Sequence, residues 1–138
     1  MRQLTSGQPN EVWSFGGELE KILTSYLFVR ERLRPYVRSL MQAAHETGAP
    51  VMRPLMYDFP NDPAAWSVED SYMFGPDLLI SPVMEPGATE RTLYLPTGET
   101  WTDAHTGRQY QGGQTITVPA PLEIIPVMVR GEKKIRVW

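Results

Sequence analysis

Residues 78–130 carry five short apolar runs: LLISPV (78–83), RTLYLP (91–96), ETWTDA (99–104), QTITVP (114–119) and EIIPVMVR (123–130). Glu85–Gly87, Pro96–Gly98, Thr106-Gly107 and Gly112-Gly113 separate them, and glycine at such points lets the chain reverse through backbone conformations closed to other residues. Short strands at regular spacing with turns of this chemistry predict an antiparallel β-sandwich.

Upstream the pattern is different. Leu19, Ile22, Leu23, Tyr26, Leu27, then Leu33, Val37, Leu40, Met41 and Ala44 follow the three-and-four spacing of a helix face. Pro35 falls inside it, and a proline cannot donate to the carbonyl of Glu31 and crowds it with its ring. Two helical segments, or one kinked helix, are expected over about Glu18 to Glu46. Gly48 and Pro50 supply the stop, one as a left-handed cap and the other as a residue that cannot continue the turn. Val51 to Tyr57 reads as an extended strand, kept to a sheet edge by Pro54. Asn61 to Ser67 reads as a loop with one helical turn, Asp62 capping it and Pro63 taking its first position. The expected class is therefore α+β, with a helical first part over residues 1–70, a small antiparallel β-sandwich over residues 71–138, and a boundary near Ser71.

Composition narrows the function. The chain has 138 residues, 13 basic and 16 acidic, for a net charge of −3, with a terminal basic group at Lys133, Lys134 and Arg136. That balance argues against nucleic acid and anionic membrane as partners. No cysteine is present, so there is neither a disulfide framework nor a thiolate metal site, which fits a cytoplasmic protein. No apolar run approaches the 18 residues or so of a membrane span, and MRQLTSGQPNEVW at the N-terminus lacks the apolar core of a signal peptide. P-loop, GxGxxG and nucleophile-elbow patterns are missing, which argues against nucleotide, dinucleotide and serine-hydrolase chemistry.

Three blocks of the chain carry a resemblance: YLFVRERLRPYVRSLMQAAHETGAPVMRPLMYDFP (26–60), DSYMFGPDLLISPV (70–83) and YLPTGETWTDAHTGRQYQGGQTITVPAPLEIIPVMVR (94–130). In this order they resemble the C-terminal stretch of glycoside hydrolase family 31, the retaining α-glucosidases and α-xylosidases. The resemblance implies the last helix and strand of a (β/α)8 barrel followed by a small β-sandwich, with the two catalytic aspartates on earlier barrel strands. SGQPNEVWSFG (6–16) looks like the tail of the loop leaving the seventh strand, and Arg53 in PVMRPL matches the last one. The family's nucleophile block, WxDMNE, is absent, so no catalytic residue is carried over. A whole barrel needs about 200 residues or more. The expectation is the C-terminal portion of a retaining α-glycosidase, inactive alone.

The residues themselves leave room for other readings. Retaining hydrolysis needs two carboxyl groups about 5 Å apart. Asp58, Asp62, Glu69, Asp70, Asp77, Glu99, Asp103 and Glu123 are the carboxylates available, and for each a cap or a solvated charge is the simpler role. His45 and His105 lie sixty positions apart, too sparse a pair to predict a metal site; neither metal nor cofactor is expected. Trp13, Trp66, Trp101, Tyr57, Phe59 and Tyr110 could form a platform for a sugar ring. Trp66 is the preferred substrate contact, because loops that follow barrel strands line the active-site mouth, whereas Trp101 is expected in the core. A carbohydrate-binding module and a minimal glycosidase with a new carboxylate pair remain as alternatives. Carbohydrate is the expected ligand of the full enzyme. A homo-oligomer, most simply a two-fold dimer built from residues 18–60, is expected to cover the apolar helix face and the strand edge.

Overall fold

The computed structural model describes residues 11–131, 133 and 135. One long helix, α1 (Gly17–Thr47), runs through the whole apolar repeat, with Pro35 inside it. Glu18 and Glu20 in its first turn and His45 in its last complement the helix dipole. Gly48 ends it at φ +74°, its amide bonded to the Ala44 carbonyl at 2.9 Å. Of the two forms expected around Pro35, a single helix is the one observed. The proline nonetheless marks a division, since residues up to Pro35 and residues from Tyr36 onward form two compact units.

In the first unit, a 3-10 turn (Val12–Phe15) precedes α1. None of its described residues is buried: Leu19, Ile22, Tyr26, Val29 and Leu33 are half-covered, and Leu23, Leu27 and Phe28 are exposed.

The second unit contains all the strands. The expected strand Val51–Tyr57 is replaced by a two-residue strand, β1 (Met52–Arg53), and a short helix, α2 (Leu55–Asp58). Pro54 is the cause: at φ −66° and ψ 158° it occupies the N-cap of α2, where a missing amide hydrogen costs nothing, while ending the ladder that it cannot extend. The turn at Asn61–Ser67 forms as a 3-10 turn (Pro63–Ser67), with the Asp62 side chain accepting from the Ala64 amide.

Seven further strands follow: β2 (Tyr72–Phe74), β3 (Leu78–Ile80), β4 (Glu90–Leu95), β5 (Thr100–Asp103), β6 (Gln109–Gln111), β7 (Gln114–Pro119) and β8 (Val127–Arg130). They form a six-stranded sheet in the order β1-β2-β3-β8-β5-β6 and a two-stranded sheet β4-β7, all antiparallel. The last apolar strand, β8, is inserted between β3 and β5, which is why Val127, Met128 and Val129 are all buried. Because β1 belongs to the larger sheet, residues on both sides of Ser71 contribute to it.

The two sheets share one core. Met73, Leu79, Trp101 and Met128 of the larger sheet meet Leu93, Leu95 and Val118 of the smaller, together with Leu55, Phe59 and Ala65. Trp101 is fully buried, lies with its ring centroid 5.7 Å from that of Phe59, and donates its indole N–H to the Pro96 carbonyl at 3.0 Å. Gly75 adjoins β2 at φ +65°, and a Cβ there would lie 2.6 Å from Leu40 Cδ2, so the left-handed backbone and the close approach of α1 both demand glycine.

Candidate functional site: an exposed tryptophan and a buried ion pair

Two features of the second unit carry polar chemistry, one at the β1–α2 corner and one at the turn that follows it. At the corner, Arg53 Nε lies 2.8 Å from Asp58 Oδ2 and both side chains are largely buried. The pair has ionic contact without the alignment of a hydrogen bond, since neither atom has a hydrogen-bond partner. The Arg53 guanidinium also covers the Tyr57 ring at 4.9 Å. Burial pushes the Asp58 carboxyl above its ordinary value, and the nearby Arg53 and Arg130 oppose that rise only in part. Arg130 donates to Glu99 Oε1 from Nε at 2.9 Å and from Nη2 at 2.6 Å, and lies 4.8 Å over the Phe59 ring. Lys133 pairs with Asp77. Tyr36 reaches the same region, donating to the Phe74 carbonyl at 2.9 Å and accepting from the Asp77 amide at 3.3 Å; burial pushes its hydroxyl up to about 12.

These contacts decide the role of most candidate carboxylates. Asp58, Asp77 and Glu99 are held by Arg53, Lys133 and Arg130, and Asp70 by Arg91 at 2.7 Å. Asp103 is buried, its Oδ1 accepting from the amides of His105 at 2.8 Å and Thr106 at 3.0 Å, an arrangement that shapes the turn after β5. The His105 ring is placed by the Ile125 carbonyl, 3.0 Å from Nε2. His45 is an exposed residue of the last helical turn. Among the described residues, no three or more His, Cys, Asp or Glu side chains are grouped so as to hold a metal ion.

Asp62 accepts from three residues. Its oxygens accept from the Ala64 amide at 3.1 Å, the Thr97 amide at 2.9 Å and the Tyr94 hydroxyl at 2.9 and 3.1 Å. Burial pushes its carboxyl up, yet these bonds outweigh burial and leave it below its ordinary value. Burial, and then the neighbouring carboxylate, push the Tyr94 hydroxyl up to about 12. The sequence signal for Asp62 was its cap position before Pro63. Its reach to Tyr94 and Thr97, more than thirty residues away, has no local signature.

The aromatic candidates separate by exposure. Trp66 is 60 % exposed and projects from the 3-10 turn with its indole N–H bonded to the Pro60 carbonyl at 3.0 Å; Tyr57, on α2, is 50 % exposed. Phe59 and Trp101 lie in the core, and Tyr110 packs on its edge. Trp13 is exposed in the first unit.

Residues 48–135 match the C-terminal domain of glycosyl hydrolase family 31. The chain is 39% identical over 120 residues to alpha-glucosidase 2 of Bacillus thermoamyloliquefaciens, covering 87% of this chain and 15% of that protein. It is also 39% identical over 122 residues to an alpha-xylosidase of Saccharolobus solfataricus, covering 88% of this chain and 17% of that protein. Among solved structures, a family 31 alpha-xylosidase from a soil metagenome, complexed with xylose, superposes with a TM-score of 0.89 at 52% identity over 94% of this chain and 19% of its own. The chain thus spans less than a fifth of the length of these relatives. With more than half of its residues in the family's C-terminal domain, the chain belongs to glycoside hydrolase family 31.

Proposed function

We propose that this chain is the C-terminal part of a retaining α-glycosidase that removes terminal α-linked glucosyl or xylosyl residues, and that it is inactive alone. The carrying observation is the match of residues 48–135 to one domain of relatives of which this chain covers less than a fifth. In this reading residues 1–70 close a (β/α)8 barrel supplied by the rest of the enzyme, and residues 71–138 are the sandwich behind it. Retaining hydrolysis needs a nucleophile and an acid–base carboxyl side by side. The carboxylates of Asp58, Asp62, Asp70, Asp77, Glu99 and Asp103 are instead committed to cations, amides and a phenol of the fold. Aryl α-glucosides and α-xylosides incubated with the purified chain are expected to hydrolyse at the uncatalysed rate. Turnover that survives repurification and disappears on Asp58→Asn or Asp70→Asn overturns this reading and favours a minimal glycosidase.

Trp66 is the residue of this chain that meets sugar. Its exposure, together with that of Tyr57, supports the assignment, because the apolar face of a pyranose stacks on an indole. One stacking surface without converging polar groups gives at best about millimolar affinity. Calorimetric titration with maltose checks this, and micromolar binding abolished by Trp66→Ala instead makes the chain a carbohydrate-binding module.

The isolated chain is further proposed to self-associate through residues 18–60. Exposed Leu23, Leu27, Phe28, Met41 and Met52 support it, since each large apolar side chain left in water forgoes about 1.5–3 kcal/mol. Light scattering behind a sizing column is expected to give a dimer, and a monomer that persists at high concentration refutes it.

A further inference from the structure

The turn that presents Trp66 is short. A five-residue 3-10 segment has poor hydrogen-bond geometry and little stability of its own, so the direction of its side chains is decided by what holds its flanks. One side chain does most of that holding. Asp62 is 4 % exposed and joins two distant parts of the fold. On one side it accepts from the Ala64 amide, inside the turn. On the other it accepts from the Tyr94 hydroxyl, on β4, and from the Thr97 amide just beyond that strand. That second anchor is itself fixed, because the neighbouring Pro96 carbonyl takes the indole N–H of the buried Trp101. The turn's other hydrogen bonds are local, Ala65 donating to the Asp62 carbonyl at 3.1 Å and the Trp66 indole to Pro60, while the Ala65 side chain packs into the core. Ala65 is buried, so the turn is pinned at Asp62 and Ala65 and open at Trp66.

We propose that Asp62 is a positioning residue for carbohydrate: by clamping the Pro63–Ser67 turn to the β4–β5 corner through Tyr94 and Thr97, it holds the Trp66 indole ready to stack on a sugar. The β-sandwich thereby becomes a determinant of sugar affinity although Trp101 and the rest of its core never meet the sugar. The inference rests on the reading of Trp66 as a sugar contact. Its physical basis is preorganisation, since a ring already held in the bound orientation loses less freedom on binding than one that must be ordered by the ligand.

Nitrogen-15 NMR of the full 138-residue chain tests it, with Trp101 as the internal standard because its indole N–H is also hydrogen-bonded. Asp62→Asn is expected to speed hydrogen exchange of the Trp66 indole about tenfold or more, the scale set by hydrogen bonds to a charged group, while Trp101 exchange stays as in the parent. Tyr94→Phe, which leaves the carboxylate its two amide partners, is expected to do the same by a smaller factor. Titrated with maltose or xylose, both variants should bind about threefold or more weakly than the parent. Unchanged Trp66 exchange in both variants, or unchanged sugar affinity once the indole has loosened, overturns the proposal. If Asp62→Asn also exposes Trp101, the whole unit has opened, and Tyr94→Phe alone decides by the same criteria. If neither sugar shifts the Trp66 indole resonance of the parent chain, the sugar contact itself is wrong and the carbohydrate role of the clamp falls with it, whatever the exchange rates show.

Discussion

The segment up to Pro35 and the sandwich after it are built from similar proportions of apolar residues, yet they use them differently. In the sandwich, facing strands deliver Met73, Leu79, Leu93, Leu95, Trp101, Val118 and Met128 to one core. In the first half of α1, none of the described apolar residues becomes buried. The difference lies in partners rather than in composition. A helix buries its stripe only against another element, while two antiparallel sheets bring their own. The sandwich therefore has internal grounds for stability, and the helical segment's apolar stripe calls for cover from outside it.

The largest test of this contrast removes a core ring. Trp101→Ala takes away the fully buried indole, its contact with Phe59 and the bond to Pro96, and is expected to cost about 3–5 kcal/mol. Phe28→Ala, at a 61 % exposed helix position, should shift the same denaturation midpoint by an amount equivalent to about 0.5 kcal/mol or less. Equal effects in chemical denaturation would mean that the helical segment is as well packed as the sheets.

A second test concerns replacements of Asp62, which joins the Trp66 turn to Tyr94 and Thr97. Asp62→Ala leaves the part-buried Tyr94 hydroxyl and Thr97 amide without their acceptor, at about 1 kcal/mol or more in total. The pH dependence follows from the direction of its shift. A carboxyl held below its ordinary value in the folded state binds fewer protons there than when unfolded, so it contributes stability above the unfolded value and loses it as pH falls through the folded one. Asp62→Asn is expected to flatten the acid limb of the stability profile, and an unaltered limb would count against the bond.

Smaller again is the glycine pair that compares crowded with open backbone. Gly75 and Gly87 share positive φ values of 65° and 75°, but only Gly75 faces Leu40 and Tyr36. Alanine at Gly87 should cost about 1 kcal/mol from backbone strain, and alanine at Gly75 more, because packing adds to it. Thermal melts that rank them the other way would show that the Gly75 contact yields easily. The smallest effect on folding, and the sharpest on association, is expected from Phe28→Glu: a melt within about 0.5 kcal/mol of the parent, with the light-scattering mass falling to that of a monomer.

Some elements were legible because their determinants are local. LLISPV, RTLYLP, ETWTDA, QTITVP and EIIPVMVR each contain a strand, and the periodic run from Leu19 forms helix. β6 (Gln109–Gln111) was missed because it has glutamine at both ends and owes its strand to pairing with β5. Val51–Tyr57 was overread as strand because the apolar residues Val51, Met52, Leu55 and Met56 around Pro54 look alike whether the proline edges a ladder or starts a helix. For the candidate site, Trp101 is buried as its strand position suggested and Trp66 is exposed, while the ion pair of Arg130 with Glu99 had no sequence signal.

By itself the sequence determined five of the strands, the turns between them, the long helix and the family, since period, glycine placement and block order are written along the chain. The tertiary structure alone decided that β8 enters between β3 and β5, that Asp62 spans from the Trp66 turn to Tyr94 and Thr97, and that Asp58 is locked against Arg53. Each of these joins residues that propensity treats separately. A buried carboxylate must find its donors wherever the packed chain brings them, so its role is set by the fold's closure and not by its neighbours in sequence.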